Sequence, residues 1–106
     1  MELISQHKHQ LYKVCRQSQV EELYVFGSIL TDTFNKNSDI DMLVSITSSD
    51  PIEYAEHYFY LKFELERIFN RKIDLVEEKA IKNELFKAEL NNKKNLIYAR
   101  KNQGLA

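Results

Sequence analysis

Asp39-Ile40-Asp41 sets two carboxylates two residues apart. On a strand, alternate side chains share a face, so Asp39 and Asp41 would point together while Ile40, Met42 and Val44 point into a core. Two neighbouring carboxylates repel, which raises the cost of ionising both. A divalent cation removes that cost, and Mg²⁺ typically takes one or two carboxylates together with substrate phosphates. Asp74, held between Ile73 and Leu75, repeats the pattern on a later apolar run, so a third acid is expected over the same open face. Three acids converging on one sheet suit metal-assisted phosphoryl-type chemistry, in which metals clamp the attacking and leaving oxygens. A lone D-x-D on a half-buried strand is common and fits an ordinary solvated face, so the neighbouring residues decide its weight.

Gly27-Ser28 directly follows an apolar run and lies one loop before the paired acids. Glycine lets backbone N–H groups approach a ligand closely, and a serine hydroxyl can donate to a phosphate oxygen. In isolation Gly-Ser reads as a strand-ending turn. Beside a metal-holding strand it reads as a phosphate cradle, because Mg²⁺ bridges the same phosphates.

The elements that must position these groups follow from periodicity. Leu3, Ile4, His7, Leu11, Val14 and Cys15 recur at helical spacing and predict an opening helix with one core-facing stripe. Glu22 to Phe26 reads as a strand and Asp39 to Ile46 as a second. Asp50, Pro51 and Glu53 form a helix start, with Asp50 as N-cap, and Tyr54, Tyr58, Leu61, Leu65 and Ile68 carry an apolar face to about Phe69. Phe59 and Phe63 are expected mainly in the core, with one helix edge free to meet a partner. Ile73 to Glu77 reads as a third strand, Ala80 to Asn91 as a helix with Ile81, Leu85 and Ala88 on one side, and Leu96 to Tyr98 as a last strand. A frayed tail follows Arg100. The expected fold is α/β: a small mixed sheet of about four strands with helices mainly on one face.

Composition narrows the function classes. The chain has 106 residues, 43% hydrophobic and 29% charged, which is enough for one domain spanning 1–106 with a real core. Fifteen basic and 16 acidic side chains leave a net charge of −1, without the cationic excess that strong nucleic-acid binding requires. One cysteine, Cys15, allows no internal disulfide and no cysteine zinc cluster, and reads as buried packing. No apolar run approaches the roughly 20 residues of a membrane span, and the opening residues lack the pattern of a secretory leader. A cytoplasmic protein without membrane contact is expected. His7 reads as a core or rim residue, and His9 and His57 as solvent-facing.

Gly27-Ser28, ten intervening residues, then Asp39-Ile40-Asp41 resembles the G-S-x10-D-x-D signature of the polymerase-β-like nucleotidyltransferases. By average residue usage that pattern arises by chance in about one chain of this length in a thousand. Asp74 occupies the place of that superfamily's third carboxylate. The length and the closing Asn95-Leu96-Ile97-Tyr98 are similar to the minimal nucleotidyltransferases, the antitoxin half of HEPN/MNT toxin–antitoxin modules. The resemblance implies a polymerase-β-like fold, with Asp39 and Asp41 holding two Mg²⁺ ions on ATP. Asp74 would share one metal and help deprotonate the acceptor, and Gly27 and Ser28 would grip the β,γ-phosphates. It further implies transfer of AMP to a hydroxyl, a tyrosine of a HEPN-type toxin RNase, in an oligomer with that partner. No arginine stands four to six residues before His7, His9 or His57, so the chain lacks the R-x4–6-H motif of the toxin half.

Relatives commonly continue after Gly-Ser with a basic residue and a second glycine, whereas this chain reads Ile29, Leu30, Thr31 and Asp32. An anion in place of a cation disfavours triphosphate by about 1 kcal/mol at surface dielectric. Lys36 is the loop's own candidate for replacement charge. The altered loop points to the alternative function, a catalytically silent antitoxin that neutralises its partner by binding. The three retained acids point to the enzyme.

Overall fold

The structure, a computed structural model, describes residues 1–101. Two helices open the chain, α1 (Glu2–Gln6) and α2 (Lys8–Gln17). Strand β1 (Val20–Phe26) runs into a 3₁₀ turn (Gly27–Leu30), and a loop then leads to β2 (Ile40–Ile46). Helix α3 (Pro51–Phe69) returns the chain to β3 (Ile73–Glu77), and a second 3₁₀ turn (Glu78–Ala80) precedes α4 (Glu84–Lys93) and β4 (Asn95–Ala99).

The strands form one mixed sheet in the order β3-β2-β1-β4, with β1 antiparallel to both β2 and β4, and β2 parallel to β3. The parallel pair needs a crossover, and α3 provides it. Asp50 caps α3 by accepting the Ile52 N–H at 2.9 Å, Pro51 takes the first helical position, and Asn70 closes the helix with φ 51° in the left-handed region.

The main core lies on one face of the sheet. Leu23, Val25, Met42, Val44, Ile73 and Leu75 from the strands meet Leu11, Val14 and Cys15 of α2 and Leu61, Leu65, Ile68 and Phe69 of α3. Each such side chain contributes about 1.5–3 kcal/mol when removed from water. The other face carries Phe26, Asp41 and Leu43, and α4 flanks it with Leu90 buried.

Several expectations change. The opening stripe is divided between two helices, because the backbone turns out of helical geometry at His7 (φ −116°), whose ring donates from Nδ1 to the Leu3 carbonyl at 3.0 Å and meets the Phe69 ring edge-on. Helix α4 begins at Glu84, four residues later than expected, because Asn83 rather than Ala80 starts it by accepting the Phe86 N–H at 3.0 Å. Its buried contact is Leu90, while Leu85 is 83% exposed and Ala88 is also outside. On α3, Phe59 and Phe63 stack on each other at the surface instead of entering the core. His57 is half-buried rather than fully in solvent. The tail expected to fray after Arg100 lies mostly in residues 102–106, outside the described residues.

Candidate active site

Register brings the acids together. Asp41 pairs with Phe26 across the β1–β2 ladder and with Asp74 across the β2–β3 ladder, so Phe26, Asp41 and Asp74 form one row across the sheet. Directly opposed residues share a face, which sets both carboxylates on the side away from the main core. Their neighbours Ile40, Met42, Ile73 and Leu75 are buried beneath them. Asp39, expected as the first residue of this strand, instead immediately precedes β2 and is exposed, so the ladder does not fix its face.

Asp41 is half-buried, and its carboxyl is held above the ordinary aspartate range, first by burial, then by the negative charges of Asp74 and Asp39. Asp74's charge also reaches Tyr58, whose phenol burial pushes up first and the acids Asp74 and Glu77 push further. That hydroxyl donates to the Leu75 carbonyl and ties α3 to the strand bearing Asp74. Among the described residues, none of Asp39, Asp41 and Asp74 has an ion pair or a hydrogen-bond partner. Three carboxylates in mutual repulsion without a counter-charge are a poor structural device and a good set of hard oxygen donors. Among the described residues, no three such side chains are already drawn into a metal cage. A Mg²⁺ site needs none, since phosphate and water oxygens complete its shell.

Gly27 interlocks with this row. Its φ is +75°, and a Cβ placed there would run into the Asp41 carboxylate oxygen, with Asp41 Cγ at 3.2 Å. Only glycine lets the turn pass so close to the acid. Ser28 follows in the 3₁₀ turn, where its carbonyl accepts the Thr31 N–H at 2.9 Å and the Thr31 hydroxyl at 2.8 Å. Its own hydroxyl has no partner among the described residues. Ile29 is buried and Leu30 packs against the core, so the two positions after the serine anchor the turn and offer no charge or hydrogen bond to a ligand. Asp32 and Lys36 are both exposed.

Arg71 is the residue that sequence reasoning missed. From just before β3 it donates from Nη1 to the Ser38 carbonyl at 2.9 Å and the Asn35 carbonyl at 3.1 Å, and its guanidinium lies over the Phe34 ring at 4.7 Å. It thereby holds the loop that ends at Asp39 to the strand that carries Asp74. No local pattern signals this, because the partners lie 33 and 36 residues away in sequence.

Comparison with known proteins identifies the family and the fold. The family described as "Polymerase beta, Nucleotidyltransferase" matches residues 9–103. A Methanocaldococcus jannaschii protein provisionally named a protein adenylyltransferase is 28% identical over 98 residues, covering 92% of this chain and 91% of that one. A solved structure provisionally named a minimal nucleotidyltransferase superposes with a TM-score of 0.72 at 19% identity, covering 89% of this chain and 92% of the other. The Shewanella oneidensis complex of a tri-AMPylated HEPN toxin with an MNT antitoxin gives 0.61 at 17% identity, covering 95% of this chain and 76% of the matched chain. At these identities the two structures speak to the fold alone.

Proposed function

The chain belongs to the polymerase-beta nucleotidyltransferase family, and from that premise we propose that it transfers AMP from ATP to a tyrosine hydroxyl of a HEPN-type toxin and so serves as a cytoplasmic antitoxin. The observation that carries this is the row of unpaired acids, Asp41 beside Asp74 with Asp39 at the strand entry, locked against the turn at Gly27.

Asp39 and Asp41 are the residues that would hold Mg²⁺, and the metal supplies charge neutralisation at the phosphates. The chain's own residues do the rest. Gly27 and Ser28 offer the turn's backbone and a free hydroxyl to the β,γ-phosphates. Asp74, exposed at the β3 side of the row, takes the proton from the acceptor hydroxyl. The acceptor oxygen forms a bond to the α-phosphorus as the bond from that phosphorus to the bridging oxygen breaks, and pyrophosphate leaves. The partner supplies the tyrosine and its recognition surface. The exposed α3 ridge of Ile52, Phe59 and Phe63 supports a binding partner. The relative's name and the AMPylated toxin in the Shewanella complex support AMP and a HEPN acceptor.

A second function, a silent antitoxin acting by contact, is favoured by one observation: Ile29 and Leu30 are committed to packing, and no cation follows Ser28. Incubation of the protein with Mg²⁺ and α- or γ-labelled ATP in an extract of its native host separates the two. Transfer to one protein band from the α-label only, abolished by Asp39→Asn with Asp41→Asn, is the expected result. Absence of transfer from either label, with the partner still captured, leaves the silent antitoxin.

A further inference from the structure

A cleft of ≈ 610 Å³ lies between the turn after β1 and helix α4. That size suits a small-molecule ligand, for which roughly 300–1,000 Å³ is usual. Phe26, Leu30, Phe86 and Leu90 give it apolar walls, and Gly27 belongs both to this cleft and to the close approach on Asp41. Among the described residues, Lys93, on the last turn of α4, is the one basic residue that lines it.

The sheet gives the cleft a direction. Asp74, Asp41 and Phe26 follow one another from β3 through β2 to β1, and the cleft lies at the Phe26 end. In-line displacement puts the acceptor and the leaving group on opposite sides of the reacting phosphorus. With the acceptor at the Asp74 end, the donor's polyphosphate lies toward Gly27 and the cleft. There the turn provides no cation of its own. Lys93 is paired with Glu89 at 3.2 Å, but the two side chains are 70% and 64% exposed, so the pair is weak and exchanges readily for a phosphate.

Resting on the transferase reading above, we propose that this cleft seats the donor nucleotide, with Lys93 supplying to the β,γ-phosphates the positive charge that is missing after Ser28 and the apolar walls receiving the nucleoside. Glu89 then acts as a competitor for Lys93 that the phosphates displace.

Titration calorimetry of the full chain with ATP and with AMP, each with Mg²⁺, tests this. Lys93→Ala weakens ATP by roughly fivefold, the worth of one exposed charge contact, and AMP by less than about twofold. Lys93→Arg restores ATP affinity, Glu89→Gln tightens it, and Phe86→Ala weakens ATP and AMP alike. Unchanged ATP affinity in Lys93→Ala, or equal loss of ATP and AMP, overturns the assignment. If the unmodified protein still transfers α-label in that case, only Lys93 and its cleft are lost from the account. If the unmodified protein binds neither nucleotide and transfers no label, the transferase reading falls with it.

Discussion

Gly27→Ala attacks the site at its tightest contact. Gly27 sits at φ +75°, where an L-residue costs about 1–2 kcal/mol. The new methyl would also collide with the Asp41 carboxylate oxygen. The carboxylate must turn away to make room, and Asp41 Cγ, 3.2 Å from the methyl position, must give by a few tenths of an ångström, whereas Cβ at 3.5 Å is in ordinary contact. Together with the left-handed backbone, displacing that side chain costs about 2–3 kcal/mol. For a chain of this size that lowers Tm by about 10–20 °C. Displacing Asp41 by about 1 Å should reduce nucleotidyl transfer about 100-fold, measured below the variant's melting transition. A double-mutant cycle isolates the collision: in an Asp41→Ala background the carboxylate is gone, and Gly27→Ala then costs only its backbone share. Urea denaturation of the four proteins should give a coupling of about 1 kcal/mol. Additivity within about 0.5 kcal/mol, or a Gly27→Ala protein with full transfer activity, would refute the interlock.

Asp41 in the folded protein holds its proton to higher pH than in the unfolded chain, so the folded state binds more protons in the window above the ordinary aspartate value, and stability falls as pH rises through it. Asp41→Asn should therefore flatten that acid-side slope and stabilise the protein at neutral pH by no more than about 1 kcal/mol, since the group is solvent-screened; thermal melts across pH read this out. Arg71→Ala removes two hydrogen bonds and a ring contact, and should cost about 1–3 kcal/mol by urea titration while hydrogen exchange accelerates at Asn35–Asp39. Leu65→Ala, at a fully buried position, should cost about 2–5 kcal/mol, whereas Phe63→Ala, 60% exposed, should stay within about 0.5 kcal/mol in the same titration.

Local signals are legible where the chain itself sets geometry. Ile73 to Glu77 is found with the bounds that its apolar alternation predicts, and Asp50-Pro51 starts α3 as their capping chemistry requires. Asp41 and Asp74 could be set on one face from the sequence because strand alternation fixes which residues share a face before any pairing is known, whereas Asp39 stands just before β2, where alternation does not place it. Where packing decides, local pattern fails. His7 interrupts a stripe that has no breaker residue, and Phe59 and Phe63 look like core in composition but fall on the outer stripe of α3. Helix α4 turns Phe86, Leu90 and Lys93 toward the cleft, while Ile81 falls before its start and Leu85 and Ala88 face outward. Two contacts at the site were hidden by sequence distance: the approach of Gly27 to Asp41, and the hold of Arg71 on the loop before Asp39.

The central claim is that these acids transfer a nucleotidyl group to a partner. The most direct measurement is intact-mass and peptide mass spectrometry of the protein that co-purifies with this chain from its native host, after incubation with ATP and Mg²⁺. The account predicts one or more AMP adducts on tyrosine with the unmodified chain and none with Asp41→Asn, although the partner still binds. A partner that binds both proteins and gains no adduct from either would contradict it.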